Sequence, residues 1–167
     1  MYHFQVRDTG HPGTQMVLVN YEDSVVTRQQ KSSIIRMGIK NCVEADFQKE
    51  YQYSISHTDQ YSVAVLSKEY KVGIDIEKKS NITKRFQGLD LLFPKDCSIS
   101  PVLRWCVHEV IGKIECTGLN VYYPILRWEQ MSDNAQCIFY SKAGREAHVE
   151  IEILENAEYV LILGYVR

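Results

Sequence analysis

The sequence predicts an α+β fold made of two similar halves, each a helix packed on an antiparallel sheet and related by a pseudo-twofold. Three observations carry that reading. One order of elements, a helix followed by short strands, recurs along the 167 residues. Apolar and polar residues alternate with the two-residue period of a half-buried strand in several short runs. Between them, the segment after Ser100-Pro101 carries helical periodicity instead.

In the first half an opening strand precedes a helix at about 23–40, and strands follow at 51–56, 61–67 and 71–77. The second half runs from a helix at 101–117 to strands near 121–128, 136–141, 147–153 and 159–166. No residue-level repeat is visible, so the likeness is one of element order. The expected boundary places 1–79 in an amino-terminal half and 80–167 in a carboxy-terminal half. A chain of this length buries roughly 70% of its unfolded surface, enough for a substantial core. Helices laid on antiparallel strands define the α+β class.

The helix at 101–117 has the clearest start signal. Ser100 is suited to the N-cap and Pro101 to the first helical position. Leu103, Val107, Val110 and Ile114 fall within a narrow arc at 100° per residue, which makes them the buried stripe. Trp105, Glu109 and Lys113 form a second row at i, i+4 and i+8.

Val72-Gly73-Ile74-Asp75-Ile76-Glu77 is the most informative strand. Side chains alternate faces, so Ile74 and Ile76 point one way while Asp75 and Glu77 point the other, about 7 Å apart. Such a pair chelates a cation or simply decorates a solvated face. Upstream, Tyr53-Ser54-Ile55-Ser56-His57-Thr58-Asp59 alternates and then meets turn-forming residues.

Composition narrows the class. A formal charge of −2, with 24% charged and 45% hydrophobic residues, is ordinary for a globular protein and lacks the basic field of a general nucleic-acid binder. Five cysteines without CxxC or CxxH spacing favour free thiols in a reducing compartment. Cys106 and Cys116 read as small packing groups on the helix. The first residues carry no signal-sequence pattern, and the apolar run from Tyr159 to Val166 is too short to span a membrane. A cytoplasmic protein without membrane or nucleic-acid partners is expected. Lys78, Lys79, Lys84 and Arg85 form a basic cluster, either a solvated face or a landing site for an acidic helix.

Taken together, Ile55-Ser56-His57-Thr58, Gly73-Ile74-Asp75-Ile76-Glu77 and Trp105-Cys106-Val107-His108-Glu109-Val110-Ile111-Gly112-Lys113, with Gly118-Leu119 after it, resemble the 4'-phosphopantetheinyl transferase superfamily. The likeness is to the larger, surfactin-synthetase-activator type. The three motifs stand in the family's order and span about 65 residues; the flanks match only in outline.

The resemblance implies transfer of phosphopantetheine from coenzyme A to a serine of an acyl or peptidyl carrier protein, releasing adenosine 3',5'-bisphosphate. It implies Mg²⁺, with Mn²⁺ as a substitute, held by Asp75, Glu77 and Glu109. Hard cations of this kind prefer carboxylate and phosphate oxygens. Glu109 is the implied proton acceptor and Lys113 the implied phosphate contact. Ser56, His57, His108 and Lys113 are implied coenzyme A contacts, joined by Arg28 and Lys31 on the early helix. Larger members are monomers, so a monomer is expected.

Two departures stand out. The family's lysine before the motif glutamate is His108, whose ordinary pKa of about 6.5 leaves it only partly charged at neutral pH. Weaker coenzyme A binding, strengthened by His108→Lys near pH 8, is the expectation. The segment 41–50 also lacks the family's Gly-x-Pro. These departures keep open a family member that binds coenzyme A or a carrier without turnover. A third reading is an unrelated metal-dependent phosphoryl-transfer or phosphodiester enzyme using the same carboxylates.

Overall fold

The computed structural model describes residues 2–21, 26–43, 47–80, 89–95, 97–117 and 123–167. The chain opens with a hairpin, β1 (Tyr2–Asp8) and β2 (Thr14–Tyr21), where one strand was expected. Its turn uses Gly10 and Gly13, both at positive φ, a conformation that glycine adopts without Cβ strain. Helix α1 (Arg28–Cys42) follows, starting later than the expected residue 23 because Thr27 and Gln30 form a capping box. A single turn, α2 (Phe47–Glu50), leads to β3 (Gln52–His57) and β4 (Tyr61–Ser67). These strands form an antiparallel sheet of order β1-β2-β4-β3.

The second sheet holds β5 (Lys71–Lys78), β6 (Ile125–Met131), β7 (Asn134–Tyr140), β8 (Glu146–Glu155) and β9 (Tyr159–Val166), in the order β5-β9-β8-β7-β6. Helix α3 (Pro101–Ile114) lies on β5 and β9, and the Ser100 hydroxyl caps it by accepting from Leu103 N–H. The expected boundary at 79 falls just after β5. Strand β5 hydrogen-bonds in the second sheet, with Lys71 opposite Val166 and Lys78 opposite Tyr159, so it opens the second unit instead of closing the first. In each unit the strand before the helix pairs with the last strand after it, β2 with β4 and β5 with β9.

Strand alternation sorts the residues into layers. Val17, Val19, Ala64 and Leu66 face Ile35 and Ile39 of α1. On the opposite face of that sheet, Met16, Val63 and Val65 pack against Val72, Ile74, Ile76, Leu161 and Leu163 of the second sheet. The far face of the second sheet, with Val149, Ile151, Val160 and Ile162, packs under Val107, Val110 and Ile111 of α3. Burial of a side chain of this size stabilises by about 1.5–3 kcal/mol before conformational entropy is counted. Among the described residues, no helix is long and apolar enough to cross a membrane.

Two details place the helix and strand that carry the acidic residues. Gly73 and Gly164 are directly opposite partners on β5 and β9. A Cβ added at Gly73 would lie 2.5 Å from the Val110 carbonyl oxygen, and one at Gly164 would lie 2.4 Å from Val110 Cγ1. This notch lets α3 sit close on the sheet. Among the described residues the other edge of β5 has no ladder partner, and β3 supplies hydroxyls instead. Ser54 Oγ accepts from Ile74 N–H at 3.1 Å and Ser56 Oγ accepts from Ile76 N–H at 3.4 Å.

Candidate functional site

A cleft of about 680 Å³ opens where β5 and α3 meet α1 and the β3–β4 turn. Its lining includes Asp75 and Glu77 from β5, and Trp105, Glu109 and Lys113 from α3. Arg28 and Lys31 from α1 line it too, with Ser56 and His57 from β3. The expected alternation on β5 and the expected i, i+4, i+8 row on α3 therefore meet in one place. Acidic groups come mainly from β5 and α3, while α1 contributes cations.

Asp75 is the most constrained member. It is 4% exposed, which for a carboxylate requires compensation by donors or charge. Ser56 Oγ donates to Oδ1 at 2.8 Å, and Lys113 Nζ donates to the same oxygen at 2.9 Å. Lys113 Nζ also donates to the Ile74 carbonyl at 2.6 Å. The second carboxylate oxygen, Oδ2, is buried and accepts no hydrogen bond among the described residues. The buried Cys106 neighbours this carboxylate, and its thiol is pushed well above its ordinary pKa by burial first, then by the Asp75 charge and a side-chain hydrogen bond with Asp75. That cysteine packs as expected, whereas Cys116 lies past the helix, exposed and at φ 54°.

Ser56 thus differs from the expected phosphate ligand. Its only proton goes to Asp75 and its oxygen accepts from the β5 backbone, so it positions the carboxylate. His57 projects from the other face of β3. Its Nε2 is 3.1 Å from Ser32 Oγ and its Nδ1 is 2.7 Å from Ser62 Oγ, which is in turn 2.6 Å from the Tyr21 hydroxyl. Burial, followed by repulsion from Arg28, Lys31, Lys113 and Arg36, lowers the His57 pKa to about 4. The imidazole is neutral at pH 7.

Lys31 Nζ donates to the carbonyls of Thr58 and Asp59, both at 2.6 Å, tying α1 to the β3–β4 turn. Burial lowers its pKa, against an opposing pull from Asp59. Sequence reasoning passed over Ser32, Ser62, Tyr21 and Asp59. The signal for Ser62 was available, since it stands opposite His57 in the β3–β4 register.

His108 is the largest correction. It is 6% exposed, lies edge-on to Phe93 at 5.5 Å, and is not among the described residues lining the cleft. Burial lowers its pKa to about 4. The expected coenzyme A contact at His108 thus stands among core residues around Phe93 and not in the lining of the cleft. In the basic cluster, Lys78 pairs with Asp59 at 3.6 Å and Lys79 with Glu155 at 2.7 Å. Lys84, Arg85 and the Gly118-Leu119 turn lie outside the described residues.

The donor set suits a hard cation, because Asp75, Glu77 and Glu109 offer only carboxylate oxygen. Among the described residues no three His, Cys, Asp or Glu side chains form a closed metal centre. Magnesium does not demand one, since it binds through one or two carboxylates with substrate phosphate and water. No protein-family model matches the chain, and no curated protein matches its sequence.

Proposed function

We propose that this cleft transfers the 4'-phosphopantetheine group of coenzyme A to a serine hydroxyl of an acyl or peptidyl carrier protein, acting as a cytoplasmic monomer with Mg²⁺ or Mn²⁺. The observation that carries the reading is the buried Asp75 carboxylate. One oxygen is fixed by Ser56 and Lys113, and the carboxylate lines a cleft shared with Glu77, Glu109, Arg28 and Lys31. The motif resemblance supplies the reaction, and the cleft supplies groups of the chemistry it needs.

In that reaction the serine oxygen bonds to the β-phosphorus of coenzyme A. The bond from that phosphorus to the bridging pyrophosphate oxygen breaks, and the oxygen departs on adenosine 3',5'-bisphosphate. When bound, the divalent ion neutralises charge developing on the pyrophosphate. Asp75, Glu77 and Glu109 are the side chains that hold it. Glu109 accepts the serine proton, directly or through a water. Lys113 meets a phosphate oxygen as a point charge. Arg28 and Lys31 face the nucleotide phosphates, and the neutral His57 ring offers a hydrogen bond beside them.

A second reading, a binder of coenzyme A or a carrier without turnover, is favoured by one observation. The position where the family has lysine turns into the core as His108. Mass measurement on apo carrier proteins incubated with coenzyme A and Mg²⁺ separates the two. A gain of one phosphopantetheine, lost with chelator and with Asp75→Ala, is the expected result. Failure to modify any of several carriers from the same organism leaves the binder.

A further inference from the structure

Lys113 stands where a metal ligand's own charge is already met, and that placement has a chemical meaning. The ammonium is held by two oxygens, Asp75 Oδ1 at 2.9 Å and the Ile74 carbonyl at 2.6 Å. Its side chain is 25% exposed against 6% for Asp75, so the head group sits at the boundary between core and cleft. An ammonium has three donors, and two are used here.

Resting on the reading of Asp75 as a metal ligand, we propose that Lys113 is the resident counter-ion of the site and competes with the divalent cation for Asp75. With no metal, a carboxylate this buried needs a cation beside it, and Lys113 supplies one. A divalent ion taken up by the Asp75 carboxylate would place two positive charges within a few ångströms of the ammonium. Repulsion at that range weakens the contact between Lys113 and Oδ1. The ammonium then swings toward the cleft, where an arriving phosphate receives it. Ser56 remains on Oδ1, so the carboxylate keeps its orientation while its cation is exchanged. By reciprocity, whatever strengthens the Lys113–Asp75 contact weakens metal binding by the same factor.

Manganese titration of the intact chain without coenzyme A, followed by the electron paramagnetic resonance of free Mn²⁺, tests the competition. Lys113→Gln keeps donors for Asp75 and Ile74 but removes the charge, and is expected to tighten Mn²⁺ binding about tenfold. Lys113→Arg, which keeps the charge, is expected not to tighten it. A Lys113→Gln affinity no tighter than wild type overturns the proposal. The underlying metal reading fails separately, if Asp75→Asn binds Mn²⁺ as wild type does. Amine acylation of the wild-type chain, mapped by mass spectrometry, needs no variant. Modification of Lys113 that rises on adding Mg²⁺ supports displacement, and modification unchanged by Mg²⁺ overturns it.

Discussion

Gly73→Ala is the sharpest test of how the cleft is assembled, because two effects of opposite sign act on one atom. In a strand interior alanine is ordinarily the better residue, by roughly 0.5–1 kcal/mol. Here the new Cβ meets the Val110 carbonyl oxygen at 2.5 Å, and that oxygen belongs to the helix backbone, which cannot rotate aside. Real Cβ contacts do not fall below 3.0 Å, so α3 must lift from β5 by about half an ångström or more. Overpacking of this kind costs about 1–3 kcal/mol. With a backbone atom as the obstacle the cost lies in the upper part of that range, so the clash outweighs the entropy gain, for a net loss of up to about 2.5 kcal/mol. Lifting α3 also moves Glu109 and Lys113 away from Asp75. Gly164→Ala is the comparison, since its Cβ meets the Val110 side chain and no backbone atom. Urea denaturation of both variants beside wild type, with Mn²⁺ titration of each, gives the comparison. Gly73→Ala should be the less stable of the two and should bind Mn²⁺ more weakly. A Gly73→Ala protein as stable as wild type would refute the reasoning about the notch.

Acidification should destabilise the fold through His108. Its folded pKa of about 4 lies below the ordinary 6.5, so between these values the unfolded chain binds more protons. The contribution is fully present above pH 6.5 and is lost as pH falls toward 4, amounting to about 3 kcal/mol. His57 shifts in the same direction but is partly exposed, so solvent screening reduces its share. Urea midpoints between pH 7 and 4 should fall more steeply for wild type than for His108→Gln, and parallel lines would sink this account. Ser56→Ala should cost about 2 kcal/mol by removing a donor from buried Asp75 and an acceptor from Ile76 N–H, with a matching loss of phosphopantetheine transfer. Unchanged stability there would mean that the hydroxyl contributes nothing to the seam.

What could be read from the sequence was what depends on local period. The alternation of Ile74, Asp75, Ile76 and Glu77 holds, with the isoleucines in the inter-sheet core and the acids facing the cleft. So does the Ser100-Pro101 start of α3, and the row of Trp105, Glu109 and Lys113. Long-range contacts were not legible. Nothing in residues 71–78 says that their partner is 159–166 instead of the neighbouring β4. The Ser56 hydroxyl was assigned to a ligand because its real acceptor, Asp75, comes near only when the two sheets are joined. His108 was misplaced for a related reason. The narrow apolar stripe of α3 describes one covered face, but Leu89 and Phe93 join the same apolar cluster around the helix, so burial extends round to position 108. The opening hairpin was missed despite a local cue, the Gly10 to Gly13 turn.

The pairing of β5 with β9 also dictates an order of events during synthesis. Residues 71–78 emerge from the ribosome long before residues 159–166, yet among the described residues their only ladder partner is that strand. Until it arrives, the strand bearing Asp75 and Glu77 has serine hydroxyls on one edge and nothing on the other. Such non-local closure is slow and leaves an edge exposed to other chains in the meantime. The acidic pair is therefore written early in the chain and assembled late, once the strand at 159–166 is in place.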